Sequence, residues 1–326
     1  MRTEPTLSKA VRRHVGSALL MAAVGFGWVT GVAAQACCSA APSASPGSVS
    51  GRGVGSLFPG QGWVQGTVLS LDTRSQFDGT RAKVPYLVGG RLDLRSFLIA
   101  GAVGVVTGVE VWAQGALHSL EFGDASGSNT RTGLGDVRLW LRAGPRLLGV
   151  YESDLPVWVG LRAGVKLPGS GFPVDRSIVP LSEGQTDFEL ALELGRVLVD
   201  GQLAVQAWVG HRWRGSNEAA EVKPGNEWFG YASVAGAIGP VQARFAAQIL
   251  DGSPYDTFGL ELPSSQRELF GFFPALATQL GPGTVELGAQ LPVAGRNLPA
   301  GTALTVGYTI GFGEPPLPSL EDLFKP

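Results

Sequence analysis

In the stretch "DFELALELG" (187–195), Phe188, Leu190, Leu192 and Leu194 alternate with Asp187, Glu189, Ala191 and Glu193. A period of two sends successive side chains to opposite faces of an extended chain, so this stretch predicts a strand with one apolar and one polar face. The pattern returns in "QLAVQAWVGHRWR", where Leu203, Val205, Ala207 and Val209 oppose Gln202, Ala204, Gln206, Trp208 and Arg212. In "DVRLWLRA", Val137, Leu139 and Leu141 oppose Asp136, Arg138, Trp140 and Arg142. In "VWVGLRAGVKL", Val157, Val159, Leu161, Ala163 and Val165 oppose Gly160, Arg162, Gly164 and Lys166. "VQARFAAQI" and "TVELGAQL" behave alike, with Gln242, Arg244, Gln248, Glu286 and Gln290 on the polar side. The last such stretch is "TALTVGYTIGF" (302–312), whose apolar face runs Leu304, Val306, Tyr308, Ile310, Phe312.

The connections alternate as well. Short turns stand at 104–108, 150–155, 199–202, 238–241 and 280–283, and between them lie longer polar or Gly/Pro-rich segments at 74–85, 122–133, 168–184, 214–226, 252–266 and 292–301. These boundaries predict an all-β fold of about twelve antiparallel strands with a long–short rhythm of connections, the layout of a transmembrane barrel of the outer membrane. Lipid tolerates β-structure only in closed form, because an open edge leaves backbone groups unpaired in hydrocarbon. An even count returns both ends of the barrel to the periplasmic side. A soluble lipocalin-like barrel would need an apolar interior, whereas arginine and glutamate recur here on the minority face.

The N-terminus predicts the compartment. Arg2, Lys9, Arg12 and Arg13 precede the apolar "VGSALLMAAVGFGWVTGVAA", which ends at Ala34-Gln35-Ala36, so 1–36 reads as a secretory signal peptide. The only cysteines, Cys37 and Cys38, follow directly. Cys37 would be the first mature residue and is a candidate lipid anchor; an adjacent disulfide and free thiols are equally open. Residues 37–60 read as a flexible Ser/Gly/Pro-rich segment, 61–312 as the barrel, and 313–326 as a proline-rich periplasmic tail. The chain carries 16% charged residues against about a quarter in soluble domains. Its net charge of −2 gives no sign of a nucleic-acid partner. No cysteine–histidine spacing suits a metal, no glycine loop suits a phosphate, and no cofactor is expected.

The segments "TGLGDVRLWLRAG" (132–144), "GLRAGVKLPGSG" (160–171), "TDFELALELGR" (186–196), "GHRWRG" (210–215) and "LPVAGRNLPAGTALTVGYTIGF" (291–312) carry a resemblance. The chain is similar, over nearly all of its length after residue 60, to outer-membrane proteins labelled with the meta-pathway of phenol degradation, relatives of the long-chain fatty-acid channel group. The resemblance implies a barrel that passes small hydrophobic or aromatic solutes across the outer membrane of a Gram-negative bacterium. The terminal strand resembles the signal read by the barrel-assembly machinery, with Tyr308 and Phe312 facing lipid.

Parity places Arg91, Asp93, Arg95, Glu110, Asp136, Arg138, Arg142, Arg162, Lys166, Glu189, Glu193, Arg212, Arg244 and Glu286 on the lumen side, with Trp112, Trp140, Trp158 and Trp208. Both charge signs are present, whereas an ion-selective pore carries one sign in excess. Two readings stand. Aromatics beside charges form a path for an apolar solute with a polar head, or the same side chains pair and plug a narrow barrel with a structural or binding role. Pro274 marks a bulge or break, since proline cannot donate to a ladder; in the fatty-acid channel group a strand kink opens a lateral exit. His211 lies near Ser216 and Asn217 in "GHRWRGSNEA", but five positions separate His211 from Ser216, which puts them on opposite faces, so no enzyme is expected. The loops 169–184 and 251–266 are the longest. A gating loop would fold inward; an adhesive one would project.

Overall fold

The computed structural model describes residues 56–86, 89–151, 155–169, 181–198, 203–218 and 221–313. The segment read as signal peptide, Cys37 and Cys38, most of the following linker, and the tail after Gly313 lie outside the described residues.

Twelve strands form the barrel wall: β1 Gly62–Thr73, β2 Arg91–Val106, β3 Val109–Asp124, β4 Val137–Ala143, β5 Trp158–Leu167, β6 Asp187–Leu198, β7 Leu203–Trp213, β8 Glu227–Ile238, β9 Val241–Gly252, β10 Glu268–Leu280, β11 Gly283–Arg296 and β12 Ala303–Phe312. Each pairs antiparallel with its neighbours in sequence, and β12 closes the ring on β1 from Gly62↔Phe312 to Leu71↔Ala303. Closure removes every free edge from the wall, as a sheet in hydrocarbon requires. The short strand Gly127–Leu134 continues the line of β4 beside the upper part of β3.

The two faces of the wall follow the alternation. On β6, Phe188, Leu190, Leu192 and Leu194 are exposed while Asp187, Glu189, Ala191 and Glu193 are buried. The outer band continues through Val159, Leu161, Val209, Phe245, Leu276, Leu287 and Val306. Near the long-loop end Phe188, Trp213 and Trp228 point outward, and Tyr308 and Phe312 stand at the other end. Such rings of aromatics mark the levels where lipid meets water.

The turns 107–108, 239–240 and 281–282 are tight, and the opposite ends of the strands carry the longer connections. One short-side connection differs from the expected turn at 150–155: residues 144–157 span it and include the 3₁₀ turn Pro145–Leu148. That turn packs beneath the β2–β3 hairpin, where Gly144 N–H donates to the Gly108 carbonyl at 2.8 Å. Gly108 has φ 77°, and a Cβ there would strike Leu147, so both backbone and space demand glycine.

On β2 the parity read from the sequence is reversed. Leu92, Leu94, Ser96, Leu98 and Ala100 are buried, whereas Arg91, Asp93 and Arg95 share the outer face with Phe97 and Ile99. This strand runs 16 residues, and its upper end rises above the apolar band. There the outer face meets water, so Arg91 pairs with Asp72 at 2.6 Å and Arg95 lies 3.3 Å from Asp93. The buried leucines join Leu69, Leu71, Leu120, Leu181 and Ala303 in an apolar cluster inside the barrel.

Candidate functional site

The interior divides into an ionic wall, built by β3 to β8, and a cavity wall, built by β9 to β12 with β1. At the short-turn end of the ionic wall, Arg142 bonds Glu110 at 3.0 Å and Glu193 at 2.6 Å. Arg162 lies 3.4 Å from Glu193. Trp112 donates from Nε1 to Glu110 at 2.7 Å, and the Arg142 guanidinium lies over the Trp158 ring, 4.1 Å from its centre. Residues 56–60, the described end of the N-terminal segment, enter this level: Leu57 N–H donates to Glu110 at 2.8 Å, and its side chain packs against the cluster of Trp63, Ala100, Ala102, Trp112 and Trp140.

Midway up, Glu189 accepts from Arg212 at 2.7 Å and from Trp140 Nε1 at 3.0 Å. The Arg162 guanidinium lies 4.8 Å from the centre of the Trp208 ring, which stacks on Tyr231. Arg212 reaches Glu227 at 2.5 Å. At the long-loop end Lys166 is bracketed by Glu183 at 2.5 Å, Asp187 at 2.8 Å and Asp136 at 3.2 Å. Arg214 touches Asp187, Glu227 and Glu183, and Arg267 touches Glu183 and Glu227. Nearly all of these groups have lost their water. Bare ions in such a place would be prohibitive, and the close opposite charges and hydrogen bonds make the arrangement tenable.

Glu183 and Arg267 come from loops, so no alternation announced them. Glu183 belongs to the loop between β5 and β6, whose described end folds into the barrel: Leu181, Ser182 and Gln185 are buried. Burial alone would raise the Glu183 carboxyl, but Arg214, Lys166 and Arg267 together hold it well below the usual carboxylate range. The loop after β9 instead forms the small hairpin Tyr255–Thr257 with Leu260–Leu262, with Phe258 and Leu260 exposed. Of the two longest loops, the first turns inward at its described end, and the second pairs through its hairpin with Val222–Lys223.

Across from the ionic wall lies a cavity with about 890 Å³ of empty space, part of it open to solvent. Leu69, Leu71, Leu250, Phe273, Leu291 and Pro292 line it together with Arg138, Glu183, Arg212, Gln248, Arg267 and Gln290. A second cavity sits nearer the short-turn end and shares Gln248, Phe273 and Gln290 with the first. There Arg244 and Glu286 pair at 3.0 Å. Pro274 also lines this lower cavity. Pairing of β10 with β11 is interrupted between Phe272↔Leu291 and Ala275↔Gly288, and the register shifts between Phe270 and Gly271.

His211 is on the outer face of β7, with its ring 4.6 Å from Trp213 and 4.8 Å from Trp228. Ser216 lies past the end of the strand and is exposed. Inside the barrel His118 Nδ1 and Ser96 Oγ are 2.7 Å apart, and the Nε2 edge faces Gly135. No cluster of three or more metal-ligating side chains occurs among the described residues.

A family model described as "Putative MetA-pathway of phenol degradation" matches residues 46–308. Among solved structures, the chain is similar to an outer membrane channel from Pseudomonas putida F1, with a TM-score of 0.64 at 15% identity over 79% of this chain and 97% of that one. It is also similar to the translocator domain of the autotransporter NalP from Neisseria meningitidis (TM-score 0.46, 11% identity, 80% and 91% covered). A third likeness is to a mutant of the monoaromatic hydrocarbon channel TodX (TM-score 0.40, 9% identity, 78% and 91% covered). No curated protein matches the chain.

Proposed function

The chain belongs to the phenol-degradation family of barrels, and from that membership we propose that it conducts small hydrophobic or aromatic solutes across the outer membrane of a Gram-negative bacterium. The observation that carries this reading is the mixed lining of the interior. A cavity lined by leucines and Phe273 together with arginines and glutamines suits a solute with a hydrophobic body and a polar end. The candidate lining residues Glu110, Trp112, Arg138, Trp140, Arg142, Arg162, Glu189, Glu193, Trp208, Arg212, Arg244 and Glu286 then divide the work. Arg138, Arg212, Arg244 and Glu286 meet the solute at the cavities, and the others hold the ionic wall rigid.

Under this reading the barrel is exported by the 1–36 leader and inserted by the barrel-assembly machinery through Tyr308 and Phe312, with Cys37 available for lipid attachment. It acts without catalysis: His211 is packed among outward indoles away from Ser216, and a base must stand beside its nucleophile.

A specific observation favours the second reading, a plugged binding barrel: Leu57 and the Glu110–Arg142–Glu193 group fill the short-turn end. Single-channel recording of the refolded protein in a planar bilayer separates the two. A small steady current that falls when 4-butylphenol is added supports conduction. A silent bilayer together with no detectable binding of the phenol sinks it.

A further inference from the structure

The cavity, the inward segment 181–186 and the cations around Glu183 make one arrangement. Glu183 is the acid that this segment inserts between the cavity and three bases, Lys166, Arg214 and Arg267. Its carboxylate also borders the cavity, which leucines and Phe273 line as well. We propose that the Glu183 carboxylate occupies a binding site for the acid head of an amphiphilic carboxylate solute, whose hydrophobic body fills the cavity when Glu183 withdraws. This rests on the proposed function and narrows it from neutral hydrophobic compounds to ones bearing a single negative end.

The charge balance supports an anion. Arg138, Lys166, Arg212, Arg214 and Arg267 are met at this level by Asp136, Glu183, Asp187, Glu189 and Glu227, one acid for each base. Withdrawing Glu183 leaves one positive charge unmatched in a place with little water, and a buried charge of that kind demands a partner. Asp187 and Glu227 cannot leave in the same way, because both belong to strands of the wall. Glu183 does not: it precedes β6 in a connecting segment, held by its ion pairs and by neighbours such as Ser182, which donates to Asp136 at 2.5 Å. The guanidinium groups of Arg214 and Arg267 offer the forked N–H pairs that suit a carboxylate. The acid stays ionised under this load of positive charge, so it competes as a carboxylate at neutral pH.

Two probes with one hydrophobic body test this: 4-butylbenzoate, ionised at neutral pH, and 4-butylphenol, neutral there. Their binding to the full-length barrel in detergent is followed by quenching of its tryptophans. The unaltered protein is expected to bind the benzoate more tightly than the phenol. Glu183→Gln is expected to tighten the benzoate by about tenfold, the value of one charge-assisted contact no longer contested, and to leave the phenol within about twofold. Equal binding of the two probes to the unaltered protein, or an unchanged benzoate-to-phenol ratio in folded Glu183→Gln, overturns this inference and leaves the proposed function standing. Failure of both probes to bind overturns both. If the variant does not fold, the ratio on the unaltered protein still decides.

Discussion

The guanidinium of Arg142 lies between Glu110 and Glu193 and over the Trp158 ring, with its side chain 2% exposed. Arg142→Met leaves both carboxylates buried with one partner fewer, and breaking such a group costs about 3–5 kcal/mol. The check is urea unfolding of the barrel in lipid vesicles. Arg91→Met is the control: its pair with Asp72 sits in water at the rim and its loss leaves the midpoint unmoved. Glu183 adds a pH prediction. Its folded-state value is depressed, so the stability it lends is present above the ordinary carboxylate range and is lost only as pH falls through the depressed value. The difference in urea midpoint between the parent and Glu183→Gln should therefore stay constant from pH 8 down to about pH 5. A parent that gains on Glu183→Gln as pH falls across that interval would reveal a raised carboxyl and refute the cationic hold. Arg142, Glu110 and Glu193 were legible in the sequence because parity alone puts them with the indoles. Glu183, Arg214, Glu227 and Arg267 were not, since they stand in loops or at strand ends, where position comes from tertiary contact instead of a period.

Within the strands, glycine and the large rings belong together. Trp140 sits opposite Gly164 across β4 and β5, and Phe229 opposite Gly210 across β7 and β8. A Cβ on Gly164 would fall 2.1 Å from the Trp140 ring, so the indole lies across the bare backbone. Gly164→Val should displace that ring, break its bond to Glu189, and lower the yield of heat-modifiable folded barrel on a gel. On the outer face of the next strand, Leu192→Arg places a charge in the apolar band and should cost about 2–4 kcal/mol in the same vesicle unfolding experiment, the figure for the bilayer midplane. The strands were readable because polar-in, apolar-out alternation repeats on most of them. The reversal on β2 has a physical cause: Leu98 and Ala100 inside and Phe97 and Ile99 outside make both faces apolar. Alternation carried on from Phe97 and Ile99 puts Arg95, Asp93 and Arg91 outward as well. Pro274 did signal the interruption between β10 and β11, and it did so by lacking a donor.

The barrel as a whole is asymmetric around its axis, with paired charge on one arc and empty space on the other. The closing seam joins them through β1 and β12. There the Phe312 ring covers Gly62, in space that any Cβ on Gly62 would take. Phe312→Ala uncovers that contact and removes the last aromatic of the final strand. It should reduce the amount of assembled barrel, measured as the heat-modifiable fraction; an unchanged fraction would count against Phe312 as part of an assembly signal. The seam also sets an order of events. The pairing Gly62↔Phe312 brings together residues from opposite ends of the barrel sequence, so β1 has no partner on that side until β12 has been made. Contacts of such range close slowly, and an unpaired strand edge is an invitation to aggregate. The finished wall has no edge, yet the chain that builds it carries two until the last strand arrives.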